Sequence, residues 1–165
     1  MRKLVALLFG LLLASGALAF DSDETIDLYS ALTANPDFSI FTQLLTDLGI
    51  AEALQTGEAY TVFAISNDTF ESYQEETGID LTADREVLVQ ILEMHVVQGR
   101  FSVLELRDAE AGSVVTLSGA PLAVTLEADG ITVGGANLVS TDVDNSYANG
   151  VIHVVSEVMM PVAQN

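Results

Sequence analysis

The residues of this chain best suited to chemistry are its two histidines, His95 and His153. Imidazole exchanges protons and binds metals near neutral pH, so a catalytic or metal-binding pair is one reading. The other is two core residues, each hydrogen-bonded to backbone. Their surroundings in the sequence favour the second. His95 shares a helical face with Leu88, Ile91 and Leu92, at i, i+3, i+4 and i+7. His153 alternates with Val151 and Val155 on one strand face. A polar ring among apolar neighbours needs a partner, because leaving it unpaired costs about 1–3 kcal/mol. A zinc site would still lack a third and fourth ligand, and the chain has no cysteine.

Other constellations are weaker. Asp142, Asp144 and Ser146 alternate like the start of a calcium loop. Tyr147 stands where that loop requires glycine, and His153 where it requires a bidentate glutamate, which excludes an EF-hand. A looser calcium site among surface carboxylates stays open as an alternative. Glu75-Glu76 reads as a solvated pair. Asn67 and Asp68 sit at a strand-to-helix junction and are read as caps for the free N–H groups of that helix, worth about 1 kcal/mol each at most. Asn67-Asp68-Thr69 also spells a glycosylation sequon, but capping explains the residues better. Neither G-x-S-x-G nor H-E-x-x-H occurs. In a chain with 24 Asp and Glu, carboxylate pairs arise by number alone and discriminate nothing. Gly134-Gly135 is not followed by a phosphate-loop pattern and reads as a bend or bulge. No catalytic residue, cofactor or resident metal is expected.

Charge narrows the partners. The formal net charge is −19, with only five basic residues. Two of these, Arg2 and Lys3, open the chain, ahead of an apolar run from Leu4 to Leu13 broken by Gly10, and of Ala17-Leu18-Ala19. That three-part pattern predicts a secretory signal peptide over residues 1–19, cleaved after Ala19. The run has half the roughly twenty apolar residues a membrane span needs, and no later stretch is longer, so no span is expected in the mature chain. Beyond it only Arg85, Arg100 and Arg107 are basic. Such a surface repels phosphate backbones and anionic headgroups, which argues against nucleic acid as a partner. It keeps the protein soluble and could attract cations or basic partners. The destination is expected to be the periplasm or the outside of the cell.

The remaining residues, 20–165, suit one domain with one core. Phe38, Phe41, Leu44, Leu45 and Leu48 recur at helical spacing after Asn35-Pro36-Asp37, with Asp37 as the expected cap and Gly49 as the stop. Tyr60–Ile65 reads as a strand. A long helix is expected around Thr82–Val97. From Gly112 the period becomes two: Val114–Leu117, Leu122–Glu127, Ile131–Val133 and Val151–Val155 read as strands, with Asp129-Gly130 as a hairpin turn. The class is therefore α+β, helices packed on a mainly antiparallel sheet or small sandwich.

Three stretches taken together resemble one family. TVFAISNDTF at 61–70, ILEMHVVQG at 91–99 and NGVIHVVSEVMMP at 149–161 are similar, in order and spacing, to signatures of fasciclin domains. The likeness runs from about Thr25 to Pro161. Its motif positions are Thr61, Phe63, Asn67, Asp68, Phe70, His95, Asn149, Gly150, His153 and Pro161. A signal followed by one domain resembles the secreted, bacterial-type members. The resemblance implies helices on a wedge-shaped antiparallel β-sandwich. It also implies adhesion without catalysis or cofactor, towards an envelope or extracellular protein, a glycan or a matrix component.

The chain departs from the family pattern in places. Ile65 and Gln98 stand where proline is common, and Met94 where the Tyr-His motif has tyrosine. Animal matrix members carry an Asp-Ile pair before the closing signature. Asp144-Asn145 stands there, a candidate partner-binding position that keeps the acid and loses the isoleucine. With no Arg-Gly-Asp either, an integrin partner is not expected. The alternative to adhesion is an exported small-ligand or cation carrier, with calcium as the cation.

Overall fold

The computed structural model describes residues 26–108, 112–128, 130–140, 146–147 and 149–160. The expected signal segment, Asp129 of the hairpin turn, Asp142, Asp144, Asn145 and Pro161 lie outside the described residues.

Helices begin where a side chain can take up free backbone N–H groups. Asp27 accepts from the Ser30 amide at 2.8 Å and opens α1, Leu28–Ala34. Asn35 accepts from the Asp37 amide at 3.0 Å and opens a 3-10 turn, Pro36–Phe38. Asp37 is thus the residue capped, not the cap. Helices α2, Ser39–Asp47, and α3, Ala51–Leu54, follow, separated at Gly49 with φ 79°. After β1, Tyr60–Ile65, come α4, Asn67–Thr77, and α5, Arg85–Met94, the latter capped by Asp84. Helix α5 is shorter than the expected Thr82–Val97. The chain turns at His95, and Val96–Gln98 becomes β2, antiparallel to β1 with Gln98 opposite Tyr60. Two successive valines suit a strand better than a helix end. Helix α6, Val103–Asp108, leads into β3, Ser113–Val115, β4, Pro121–Glu127, β5, Gly130–Val133, β6, Ala136–Ser140, β7, Ser146–Tyr147, and β8, Gly150–Val155.

The strands run in the order β2-β1-β8-β6-β5-β4-β3, with β7 paired to β8. Among the described residues every pairing is antiparallel except one. Next to β2, strands β1 and β8 run parallel, from Tyr60 opposite Gly150 to Ile65 opposite Val155. A bridge between Val97 and Thr116, and a 2.7 Å bond from the Leu117 amide to the Val96 carbonyl, join the two ends of the order. One mixed sheet therefore rolls almost into a barrel. The α+β class and a mainly antiparallel sheet hold, while the wedge-shaped antiparallel sandwich that the resemblance implied gives way to this single rolled sheet.

The reason lies in burial. All six positions of β1 are buried, and β8 has one half-buried position, Val154. Strands hidden on both faces need cover on both, and a parallel partner arrives only after a long crossover. Helices give the outer cover, α1 lying against β8 and α5 against β2. The other face looks into the rolled sheet, where Leu122, Val124, Ile131 and Val133 meet.

Candidate functional site

The three signature segments converge on the β1–β8 pair, where Phe63 stands opposite His153. The ring of His153 stacks on Phe63, centroids 5.7 Å apart and planes 24° apart. Its Nε2–H donates to the Phe101 carbonyl at 2.8 Å. Thr61 works on the same loop, its hydroxyl donating to the Gly99 carbonyl and accepting from the Phe101 amide, both at 2.9 Å. Together β1 and β8 clamp the turn that follows β2. The other nitrogen of His153, Nδ1, is buried and has no hydrogen-bond partner among the described residues. Burial lowers the pKa of this histidine and the Phe101 carbonyl opposes that, so the neutral ring is favoured.

His95 ends α5 and has no exposed surface. Its Nδ1–H donates to the Ile91 carbonyl one turn back, at 2.6 Å. That fixes the tautomer and leaves Nε2 as an acceptor, which receives the Met159 amide at 3.2 Å. Phe41 of α2 meets the ring edge-on, centroids 6.4 Å apart. Burial lowers the pKa to about 4, against the Ile91 carbonyl. Both nitrogens are engaged, so neither offers a lone pair to a metal. Among the described residues no three His, Cys, Asp or Glu side chains gather closely enough to hold one.

Asn149 and Gly150 make a second joint at the head of β8. The Asn149 side chain accepts from the Leu28 amide at 2.9 Å and donates to the Leu54 and Thr56 carbonyls at 2.6 and 3.1 Å. One buried amide thus joins α1, the end of α3 and β8. Gly150 is packed so tightly that a Cβ would run into the Tyr60 carbonyl oxygen and the Leu28 side chain. A third joint forms at Asn67. The cap of α4 is Ser66, which accepts from the Thr69 amide at 3.2 Å. Asn67 instead reaches a different helix. It accepts from the Ile40 amide at 3.1 Å, in the first turn of α2, and donates to the Pro36 carbonyl and the Ser39 hydroxyl, both at 3.0 Å. Asp68 is exposed beside it, and Phe70 is buried below.

This layout matches known proteins. Residues 36–161 match the family profile described as Fasciclin domain. The chain belongs to the fasciclin domain family. It is similar to protein sll1483 of Synechocystis sp., 31% identical over 142 residues, covering 85% of this chain and 76% of that one. It is 32% identical over 138 residues to the immunogenic protein MPB70 of Mycobacterium bovis, covering 81% of this chain and 68% of that one. It is 34% identical over 140 residues to the cell surface glycolipoprotein MPB83 of the same species, covering 82% of this chain but 60% of that one. A solved FAS1 domain pair from the insect cell adhesion molecule fasciclin I shares the fold, with TM-score 0.62 at 23% identity, covering 78% of this chain and 47% of that chain.

Two features of this fasciclin domain had little signal in the sequence. Val158 and Met159 are buried, and the Met159 amide meets His95 although neither residue lies in a strand or helix. Their apolar character and their place in the 149–161 stretch were the hints. Helix α1 was missed as well, since Leu28 and Leu32 are its only buried residues. No helix among the described residues is long and apolar enough to cross a membrane.

Proposed function

We propose that this fasciclin domain is an exported, non-enzymatic adhesion or matrix-binding module, cleaved after Ala19 and working as one domain over residues 20–165. The observation that carries the reading is the use of the signature polar groups. Thr61, Asn67, His95, Asn149 and His153 all bond main-chain atoms within the fold. Chemistry needs such groups aimed at a substrate. Here they hold segments together, which leaves the partner to the loops and the exposed positions that alternate along β4, with Asp144-Asn145 as a further candidate position. The relatives support the same reading by name, one a cell surface glycolipoprotein and one a cell adhesion molecule. The partner is an envelope or extracellular protein, a glycan or a matrix component. It is not nucleic acid, given the net charge of −19.

Binding of the purified domain to envelope fractions, glycans and matrix proteins tests this. Saturable binding that persists at physiological salt is expected, and attachment that is only nonspecific and vanishes on screening would overturn it. Calorimetry with calcium separates the carrier alternative, for which a stoichiometric heat at millimolar calcium is the signature. Mass spectrometry of the exported protein checks the cleavage site.

A further inference from the structure

We propose that His95 is an acid-released latch for the segment Val158–Met160, whose first two residues are buried. Among the described residues, the bond that this segment's backbone donates is the one from the Met159 amide to His95 Nε2. That bond exists only while Nε2 carries a lone pair. A proton there turns the nitrogen into a donor facing another donor. The Nδ1 bond to the Ile91 carbonyl survives protonation, so the ring stays anchored to α5 while the amide of Met159 must leave. His153 differs. Its Nε2–H donates to the Phe101 carbonyl in either charge state, so protonation breaks no bond there.

Four elements pack on the His95 ring or its backbone: α2 through Phe41, α5 through Ile91, β1 through the Phe63 amide on the His95 carbonyl, and the segment itself through Met159. The charged residues of those elements are Asp47 on α2, Arg85, Glu86 and Glu93 on α5, and Glu157 just before the segment. All are exposed except the half-buried Glu93. Tyr60, the titratable residue of β1, is bonded to Glu58. Burial dominates the proton affinity of His95 and brings its pKa to about 4. The latch therefore holds at neutral pH and opens near pH 4.

What opens is apolar. Met159 is 1% and Val158 7% exposed. The Met159 sulfur and Leu122 both press on the Gly134 turn, where a Cβ would lie 2.9 Å from Sδ and 2.6 Å from Leu122 Cδ1. Release uncovers Val158, Met159 and Leu122 together. It does so at a pH where carboxylates protonate and the charge that keeps copies apart falls. The inference is independent of what the domain binds.

Amide hydrogen exchange and histidine NMR on the domain, from about pH 7 to about pH 3.5, test it. The Met159 protection factor is expected to fall about tenfold or more in step with the His95 titration, while the β1 and β8 amides keep theirs. In His95→Gln, whose amide can donate to Ile91 and accept from Met159 without titrating, the loss should no longer follow pH. If that variant does not fold, the wild-type comparison decides alone. Met159 protection unchanged through the His95 titration overturns the latch. So does its loss only together with β1 and β8.

Discussion

At the scale of single residues, the polar signature side chains act as brackets between segments distant in sequence. Asn149 is the fullest example. Its one amide serves the Leu28 N–H and the Leu54 and Thr56 carbonyls, and it is 8% exposed. Truncation removes all three bonds and leaves the Leu28 amide and the Leu54 carbonyl without that partner. Groups stranded this way cost about 1–3 kcal/mol each, and water admitted to the gap recovers part. Asn149→Ala is therefore expected to lose about 2–4 kcal/mol in urea unfolding, with an unchanged slope. A loss under about 1 kcal/mol would show that the three bonds are replaced by water. The sequence alone placed Asn149 and Gly150 as motif positions ahead of the Val151–Val155 strand. Nothing local to residue 149 states that its amide reaches α1 and α3, because the bonding partners lie 93 to 121 positions away. Asn67 teaches the same lesson. Asn67 and Asp68 were read as caps of the helix they begin, but Ser66 caps that helix, and Asn67 instead serves the first turn of α2.

At the scale of elements, the β1–β8 pair decides the architecture. It admits no side chain at Gly150, because Tyr60 of the neighbouring strand occupies the space. The requirement comes from close approach, not from backbone conformation. Gly150→Ala must therefore push the two strands apart at the start of their register, and a loss of about 3 kcal/mol or more, or failure to accumulate as folded protein, is expected. Gly57 is the control, since a Cβ there meets nothing within 4 Å. Gly57→Ala should stay within about 0.5 kcal/mol of the parent, measured by the same urea titration. Equal effects at the two sites would remove the steric account. Element identity was legible where a run was long and uniformly apolar. Tyr60–Ile65 is a strand over the expected residues, and Val151–Val155 gains only Gly150. The hairpin of β4 and β5 followed from its alternation and the Asp129-Gly130 turn signal. Short elements were not legible. Strand β2 has three residues fused to a helix end, and α6 buries only Leu106. The parallel register of β1 on β8 was also beyond reach, because two apolar runs carry no mark of direction. Strong hairpin signals in the last third pointed to a mainly antiparallel sheet or small sandwich, and the resemblance to the sandwich.

At the scale of the whole molecule, a core held without disulfides is set against a surface of like charges. The chain has 24 Asp and Glu against five Lys and Arg. Two of the three arginines beyond the first residues donate to main-chain carbonyls, Arg85 to Asp47 at 3.2 Å and Arg100 to Tyr147 at 3.4 Å. Arg85 thereby meets the negative end of α2, where a cation is favoured. The carboxylates elsewhere repel one another across the surface, and folding brings them closer than they lie in the open chain. Salt acts on this imbalance directly. The screening length falls from about 30 Å at 0.01 M to about 3 Å at 1 M, well inside the spacing of surface charges. Raising sodium chloride from about 0.02 M to about 1 M at neutral pH should therefore raise Tm. Relief of about 1–2 kcal/mol corresponds to about 3–8 °C for a domain of this size. Most of the rise should come below about 0.3 M, because screening saturates while exclusion of salt from apolar surface keeps growing. Thermal unfolding followed by circular dichroism across that series checks it. A Tm that stays level to about 0.3 M would mean that the negative surface is spread thinly enough to leave folding unopposed.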